Sequence, residues 1–315
     1  MSAKIAGLDW QHVYNDFLKL KNSLDYEEFE EKEGSNEPTL GQLVDEMLHL
    51  LESKLPKSLT FSDMTMEDLT KLKITCTGFI RLKPNLAERI TATTALGQNE
   101  LWSSVYLSRH LHFLGGHISK TEANARAWIE AFLFRASAML PSNTCMVLNM
   151  KQDVPATIVS LSRLSTLSGI VDYTAIVASQ HNANFYVKSM GLYEMKTNMP
   201  RSFFVMDAKL CNPSDDVPQA VYKMFAYGKF LEQKVIRGAL VNGSDWIFIL
   251  MTLNDNYDGA SYKQSVALSM DPYHTPDDQL VNPELWSDLI AAILAHWIEN
   301  SFADLGSDDW FESSL

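Results

Sequence analysis

The sequence lacks several features that define common protein classes. No run of 18 apolar residues occurs among its 315 residues, so no membrane-spanning helix is expected. The first residues, MSAKIAGLDWQHVYNDF, do not combine a charged segment with a following apolar one, so no secretory signal is predicted. Only three cysteines occur, far apart and without CxxC spacing, which argues against a disulfide framework and a cysteine zinc site. These absences favour the cytoplasm or the nucleus.

Sequence motifs for several enzyme classes are also missing. The chain contains neither GxGxxG nor GxxxxGK, so nucleotide binding by those glycine-rich loops is not expected. It has no GxSxG turn of the kind that carries a serine nucleophile, and no HExxH helix of the kind that binds zinc. Any chemistry must therefore depend on other residues.

Charge is spread unevenly along the chain. The formal net charge is −13, and residues 271–315 carry ten acids without one lysine or arginine. Residues 1–60 carry twelve acids against six bases, whereas residues 185–237 carry eight bases against five acids. A protein this acidic binds polyanions poorly in general, but the basic middle keeps a local nucleic-acid site open. The acidic ends are either solvated surface or a face for a protein partner.

Hydrophobic periodicity divides the chain into three parts. Residues 1–118 predict a helical N-terminal region, as in the amphipathic segment TLGQLVDEMLHLLESKL. Residues 119–270 alternate helices with β-rich segments, and residues 271–315 predict a final helix and an acidic tail. The middle part begins with a helix and continues with three predicted strands, CMVLNM, LSGIVDYTAIVAS and FFVMDAKL. A further helix and two strands follow, so we expect an α/β fold with a mixed β-sheet flanked by helices.

Acidic and basic residues enter these otherwise apolar segments at a few positions. Asp172 lies inside LSGIVDYTAIVAS, and Asp207 and Lys209 stand two residues apart at the end of FFVMDAKL, hence on one face of a strand. Glu122 lies on the preceding helix, and Gln219 opens the following one. Carboxylates from two adjacent strands and a helix can bind a hard cation such as Mg²⁺ through oxygen. A nearby ammonium can position a water or stabilise the charge that develops when a phosphodiester is attacked.

The order of these residues resembles the PD-(D/E)xK nuclease superfamily, and it also resembles a group of fungal proteins. The resemblance implies a restriction-endonuclease-like fold for residues 119–270 and a metal-dependent nuclease activity on DNA or RNA. By the same resemblance, Asp172, Asp207 and Glu122 would bind Mg²⁺ or Mn²⁺. Lys209 would act on the attacked phosphodiester, and Gln219 would support the site from its helix.

The chain departs from the superfamily pattern at three points. Val171 rather than proline precedes Asp172, and the second acid, Asp207, is an aspartate rather than a glutamate. A separation of 35 residues between the two aspartates predicts an insertion in that interval. A second E-x-K triplet occurs at residues 194–196, and we interpret it as a solvated loop because polar residues interrupt the segment that precedes it.

Each of these residues also has a purely structural interpretation. Glu122, Arg126 and Glu130 stand four residues apart and can form a ladder of ion pairs along a helix. Asp207 and Lys209 can form a surface ion pair of little energetic weight. The alternative function is therefore a nuclease-fold protein without catalytic activity that serves as a binding or protein-interaction module. The combined order of the residues favours the nuclease.

Overall fold

The computed structural model describes most of the chain. The described residues are 17, 20–21, 40–52, 57–98, 101–117, 121–160, 165–188, 191–209, 213–270 and 283–314. The chain divides into two compact units. One comprises residues 1–58 and 160–166, and the other comprises residues 59–159 and 167–315.

Helices are found in both units. In chain order they are α1 (Leu40–Glu52), α2 (Met66–Lys71), α3 (Leu86–Thr94), α4 (Ser104–His117), α5 (Glu122–Ala138), α6 (Gln180–Lys188), α7 (Leu192–Thr197), α8 (Val217–Leu231) and α9 (Pro283–Glu299). Helix α1 lies in the first unit, and its buried Val44, Leu48 and Leu51 recur at helical spacing, as the amphipathic pattern predicts. Across the described ranges, every helix is too short or too polar to cross a membrane.

Strands build one mixed sheet. They are β1 (Lys57–Thr60), β2 (Ile74–Leu82), β3 (Thr144–Ser160), β4 (Ser165–Ser179), β5 (Phe204–Ala208), β6 (Val235–Val241), β7 (Asp245–Leu253), β8 (Ala260–Ser265), β9 (Leu268–Ser269) and β10 (Phe311–Ser313). The central order is β4-β5-β6-β7-β8-β2-β10, with β3 beside β4 and β9 beside β7. Strand β5 runs parallel to β6, and β2 runs parallel to β8, whereas β4–β5, β6–β7 and β7–β8 are antiparallel. The predicted mixed sheet flanked by helices is confirmed.

Strand β2 is a feature that the helical prediction for residues 1–118 omits. Its sequence, ITCTGFIRL, puts Ile74 and Ile80 in the core and leaves most residues between them exposed. It pairs with β8 on one side and with β10 on the other. Both partners lie far away in the sequence, and strand formation depends strongly on such neighbours. Periodicity within this one segment therefore carries too little information to identify the strand.

The sheet is covered on both faces, and successive residues of β4 contribute to opposite faces. Tyr173, Ala175 and Val177 pack in one cluster with residues of α4, α5 and α9. Ile176 and Ala178 pack in a second cluster with residues of α8. Helix α8 thus covers one face, and α4, α5 and α9 cover the other.

Two glycines let α8 lie close against the sheet. A Cβ added to Gly238 of β6 would stand 2.8 Å from Sδ of Met224 and 2.8 Å from the Val205 carbonyl oxygen. A Cβ added to Gly228 of α8 would stand 2.7 Å from Cδ1 of Leu253. All three separations are shorter than a side-chain carbon tolerates. These glycines therefore set the distance at which the polar residues of α8 reach strand β5.

The interval between the two aspartates of the predicted site contains helices α6 and α7. Glu194 and Lys196 of the second E-x-K triplet lie on α7 and are exposed. The prediction of a loop at residues 194–196 is wrong. The segment is helical because Leu192 and Met195, three residues apart, bury one face of its single turn in the core.

Candidate functional site

Two carboxylates face each other across strands β4 and β5. The antiparallel register pairs Tyr173 with Met206, and its continuation by one residue sets Asp172 opposite Asp207. Directly opposed residues carry their side chains on the same face of a sheet, with Cβ atoms about 4.5–5.5 Å apart. The backbone N–H of Ala208 also donates to Oδ2 of Asp172 across 3.0 Å. Two acids from separate segments of the sequence therefore form one pair.

Asp172 is the more heavily hydrogen-bonded member of this pair. Nζ of Lys151 lies 2.5 Å from its Oδ1, and Nη2 of Arg126 lies 3.4 Å from the same oxygen. Burial raises the pKa of Asp172, but hydrogen bonds with Asp207, Lys151 and the Ala208 N–H outweigh that effect and hold the pKa at about 2. Asp172 is therefore ionised at neutral pH.

Asp207 has the opposite electrostatic character. Its side chain is 1 % exposed, and burial raises its pKa to about 6 although Lys223 and Lys209 lower it. Lys223 of α8 donates to Oδ1 of Asp207. Among the described residues, Oδ2 of Asp207 is buried and accepts no hydrogen bond. Nζ of Lys209 lies 3.4 Å from Oδ2, which is ion-pair distance without hydrogen-bond geometry.

The proximity of the two acids contributes to both pKa shifts. Contact between the two carboxyls lowers the pKa of Asp172 and raises that of Asp207, and the negative charge of Asp172 raises the pKa of Asp207 further. With a pKa of about 6, Asp207 is mostly ionised at neutral pH. The pair then carries two adjacent negative charges, an arrangement that favours a bound cation.

Lys209 is fixed beside the pair by contacts from three elements. Its backbone N–H continues the parallel pairing by donating to the Val241 carbonyl across 2.8 Å. Its Nζ donates to Oε1 of Gln219 across 2.6 Å, and Oδ1 of Asp216 lies 3.7 Å from the same nitrogen. Gln219 in turn donates through Nε2 to the Ser62 carbonyl across 3.5 Å. The ammonium is therefore directed by α8 and remains partly open to solvent, with 19 % of the side chain exposed.

The structure brings together four of the five residues predicted for the site. Asp172, Asp207, Lys209 and Gln219 lie within one chain of hydrogen bonds and ion pairs. Glu122 begins helix α5, and its side chain lies outside the described residues. Glu130, two turns further along, accepts a hydrogen bond from the Tyr173 hydroxyl across 3.0 Å.

Sequence reasoning missed two lysines of the site. Lys223 is buried inside the apolar run of α8, and a single cation in such a run is a signal that a buried acid lies opposite. Lys151 lies in β3 with a backbone φ of 59°, a left-handed conformation that is uncommon for a residue other than glycine. No sequence pattern indicates that this lysine reaches Asp172, because the contact joins two strands through an irregular backbone.

The residues present fit a divalent cation. Mg²⁺ is commonly held by one or two carboxylates, with water and substrate phosphate completing its octahedron. Asp172 and Asp207 supply two such groups, and the donor-free Oδ2 of Asp207 is an anionic ligand atom without a competing hydrogen bond. The described ranges contain no cluster of three or more His, Cys, Asp or Glu residues arranged for a metal. The two carboxylates would therefore suit a metal whose remaining ligands are water or a phosphate.

Comparison with protein-family models finds no match to this chain, and comparison with curated proteins finds none either. The resemblance to the PD-(D/E)xK superfamily therefore stays a prediction from the sequence.

Proposed function

We propose that this protein is a metal-dependent phosphodiesterase that hydrolyses DNA or RNA at the Asp172–Asp207 pair. The observation that carries the proposal is the buried Oδ2 of Asp207. It accepts no hydrogen bond among the described residues, and Asp207 lies opposite a second carboxylate and beside the ammonium of Lys209. An anionic oxygen in this setting costs several kcal/mol unless a cation offsets it, and Mg²⁺ or Mn²⁺ is the cation that two carboxylates suit.

Each residue has a distinct role in this proposal. Asp172 and Asp207 would hold the metal, which when bound polarises a phosphoryl oxygen and lowers the pKa of a bound water. Lys209 stabilises the charge that develops on the phosphodiester or orients the attacking water. Gln219 holds the Lys209 ammonium in place through its 2.6 Å hydrogen bond. Lys223 favours the ionised form of Asp207, because its positive charge lowers the pKa of that carboxyl.

The nuclease proposal extends to substrate and cellular setting. The eight bases among residues 185–237 support contact with a nucleic-acid backbone in spite of the net charge of −13. Three dispersed cysteines support a reducing compartment, so the proposed location is the cytoplasm or the nucleus.

A second candidate function is a nuclease-fold protein without activity that binds a partner. The observation that favours it is the buried ion pair between Lys223 and Asp207, whose side chains are 8 % and 1 % exposed. A lysine that already neutralises Asp207 lowers the need for a metal. In this case the acidic terminal segments would face a protein partner.

The deciding experiment is a cleavage assay with labelled single- and double-stranded DNA and RNA, in Mg²⁺ or Mn²⁺. We expect the wild-type protein to cleave at least one of these substrates and Asp207→Asn to cleave none. Calorimetric titration should show Mn²⁺ binding that Asp207→Asn abolishes, because the variant loses an anionic ligand. Asp216→Asn is the matched control, since Asp216 lies near Lys209 but outside the carboxylate pair, and it should retain Mn²⁺ binding. Equal Mn²⁺ binding by wild type and Asp207→Asn would overturn the metal assignment.

A further inference from the structure

The cations around the carboxylate pair differ in their access to solvent. Lys209 and Lys223, on the side of α8, have 19 % and 8 % of their side chains exposed. Lys151 of β3 and Arg126 of α5 have 48 % and 32 % exposed. Two cations therefore stand on the open side of Asp172, at the edge of the site where a large substrate can reach them.

Both exposed cations contact the same carboxylate oxygen. Oδ1 of Asp172 is contacted by Lys151 at 2.5 Å and by Arg126 at 3.4 Å, while Oδ2 already accepts the Ala208 N–H. Two cations from separate elements, β3 and α5, therefore converge on one carboxylate oxygen. A metal bound to Asp172 would compete with both of them for that oxygen.

The backbone at Lys151 is held in an unfavourable conformation. Its φ of 59° lies in the left-handed region, which costs an ordinary residue energy and is found disproportionately at functional sites. The flanking Gln152 and Val154 are buried and anchor the strand, and Asn149 donates to the Gln152 side chain. The anchored neighbours thus keep the Lys151 side chain directed at the carboxylate pair.

We propose that Lys151 and Arg126 form a phosphate-binding subsite that holds a nucleic-acid backbone phosphate adjacent to the one that is cleaved. The inference rests on the proposed nuclease function. Arginine binds phosphate through a planar fork of N–H donors, and lysine binds it as a mobile point charge. In the free protein Asp172 takes the place of that phosphate, and in the complex the two cations transfer to the substrate.

The test is the salt dependence of binding, measured in Ca²⁺ or in chelator to suppress cleavage. The probes are a labelled DNA duplex and labelled single strands of DNA and RNA, titrated between about 50 and 200 mM salt. Each phosphate contact that is lost lowers the slope of log K against log salt by about one. We expect Lys151→Asn to lower the slope by about one and to weaken binding by about tenfold at low salt. Asparagine is chosen because it tolerates the left-handed conformation at position 151.

Three further variants separate a phosphate contact from a general effect of charge or folding. Lys151→Arg keeps the charge and should retain the wild-type slope, whereas Arg126→Gln should lower it as Lys151→Asn does. Lys234→Asn is the matched control, because Lys234 is 42 % exposed and also pairs with an acid, Asp255. Lys234 precedes β6 at the end of that strand away from Asp207. Lys234→Asn should therefore keep the wild-type slope of log K against log salt.

The outcomes distinguish the subsite from the nuclease itself. A wild-type slope in folded Lys151→Asn and Arg126→Gln, or no binding by the wild-type protein, would overturn the subsite whatever the cleavage assay shows. A lowered slope in both variants, with no cleavage by the wild-type protein in Mg²⁺ or Mn²⁺, would keep the subsite and reject the nuclease. Equal loss of slope in Lys234→Asn would also overturn the subsite, because it would reduce the effect to overall charge.

Discussion

Two buried acids in this protein meet their positive partners in different ways. Asp288 of α9 and Arg135 of α5 are both 0 % exposed, and the arginine donates through Nε and Nη2 to the two carboxylate oxygens across 2.8 and 3.3 Å. Nη1 of Arg135 donates to the carbonyls of Leu96 and Trp102. Both oxygens of Asp288 are thus satisfied by one rigid donor. Asp207 is almost as buried, yet its positive partners are two lysines from separate parts of the chain, and one of its oxygens accepts no hydrogen bond among the described residues.

The difference separates an ion pair that joins helices from one that suits ligand binding. A planar guanidinium matched to a carboxylate leaves no position for another cation. Two ammonium groups and a second carboxylate leave a buried oxygen of Asp207 without a hydrogen-bond donor, and a metal could bind that oxygen. Burial alone therefore does not distinguish Asp288 from Asp207; the saturation of their carboxylate oxygens does.

The largest effect is expected for Lys209→Ala, which tests whether the lysines near Asp207 differ in role from Arg135. If Lys209 stabilises the transition state, the variant should bind Mn²⁺ and substrate but cleave roughly 10²–10⁴-fold more slowly. Turnover and thermal unfolding should be measured together. Wild-type turnover would reject the role of Lys209, and a large drop in melting temperature would instead indicate a structural pair that leaves Asp207 uncompensated.

The next largest effect is expected for Arg135→Met, and it concerns the free energy of unfolding rather than turnover. Loss of the guanidinium leaves Asp288 buried without a positive partner, which costs about 3–5 kcal/mol of unfolding free energy. Denaturant unfolding measures this loss, and cleavage per folded molecule should stay unchanged. The control is the double variant Arg135→Met with Asp288→Leu, which should regain most of the stability because no charge remains buried. A double variant as unstable as the single one would contradict the assignment.

Asp207→Asn should change the pH dependence of stability. The folded-state pKa of Asp207 is raised to about 6 from 3.8, so its stabilising contribution is complete below about pH 4 and is lost as pH rises through 6. The asparagine cannot ionise, so the variant should gain stability relative to wild type across that window, by roughly 3 kcal/mol at most. Asp172→Asn should show the opposite trend in a lower window, because the pKa of Asp172 is lowered from 3.8 to about 2. The stabilising contribution of Asp172 is present above about pH 4 and is lost as pH falls through 2, so the variant should lose stability relative to wild type as pH rises through that window. Thermal melts in metal-free buffer from about pH 2 to 8 measure both trends, and curves parallel to that of wild type would contradict these pKa shifts.

The smallest effect is expected for Tyr173→Phe. This change removes the 3.0 Å hydrogen bond from the hydroxyl to Glu130, which is worth about 1 kcal/mol of unfolding free energy. Cleavage should be unaffected, because Glu130 contacts this hydroxyl rather than the carboxylate pair. A hundredfold loss of turnover in Tyr173→Phe would instead bring Glu130 into the site.

The sequence predicts the strands and the helix that carry the candidate site better than it predicts which residues contact one another. The strands that carry Asp172 and Asp207 are found where apolar, β-branched runs place them, and α8 begins at Val217 as the run that follows suggests. The position of Asp172 directly opposite Asp207 depends on the register of β4 against β5. That register is set by cross-strand packing, which a single segment does not report.

The lysines of the site illustrate the same limit. Lys209 is predictable because it shares a strand end with Asp207, two residues away. Lys223 and Lys151 reach the pair from α8 and β3, through close packing at Gly238 and a left-handed backbone at position 151. Both are long-range consequences of tertiary structure, so residue type and spacing leave them unassigned.

Strand β10 imposes an order on folding during synthesis. Its register sets Phe311 against Leu82, and Arg81 pairs with Glu312 across 231 positions of the chain. A ribosome-bound chain therefore carries β2 without this neighbour until residues 311–313 have left the exit tunnel. An unpaired strand edge is a template for intermolecular pairing, so the nascent chain is exposed to aggregation while the residues between β2 and β10 are synthesised. Emergence of residues 311–313, rather than emergence of the carboxylate pair, is then the event that gives β2 its second neighbour.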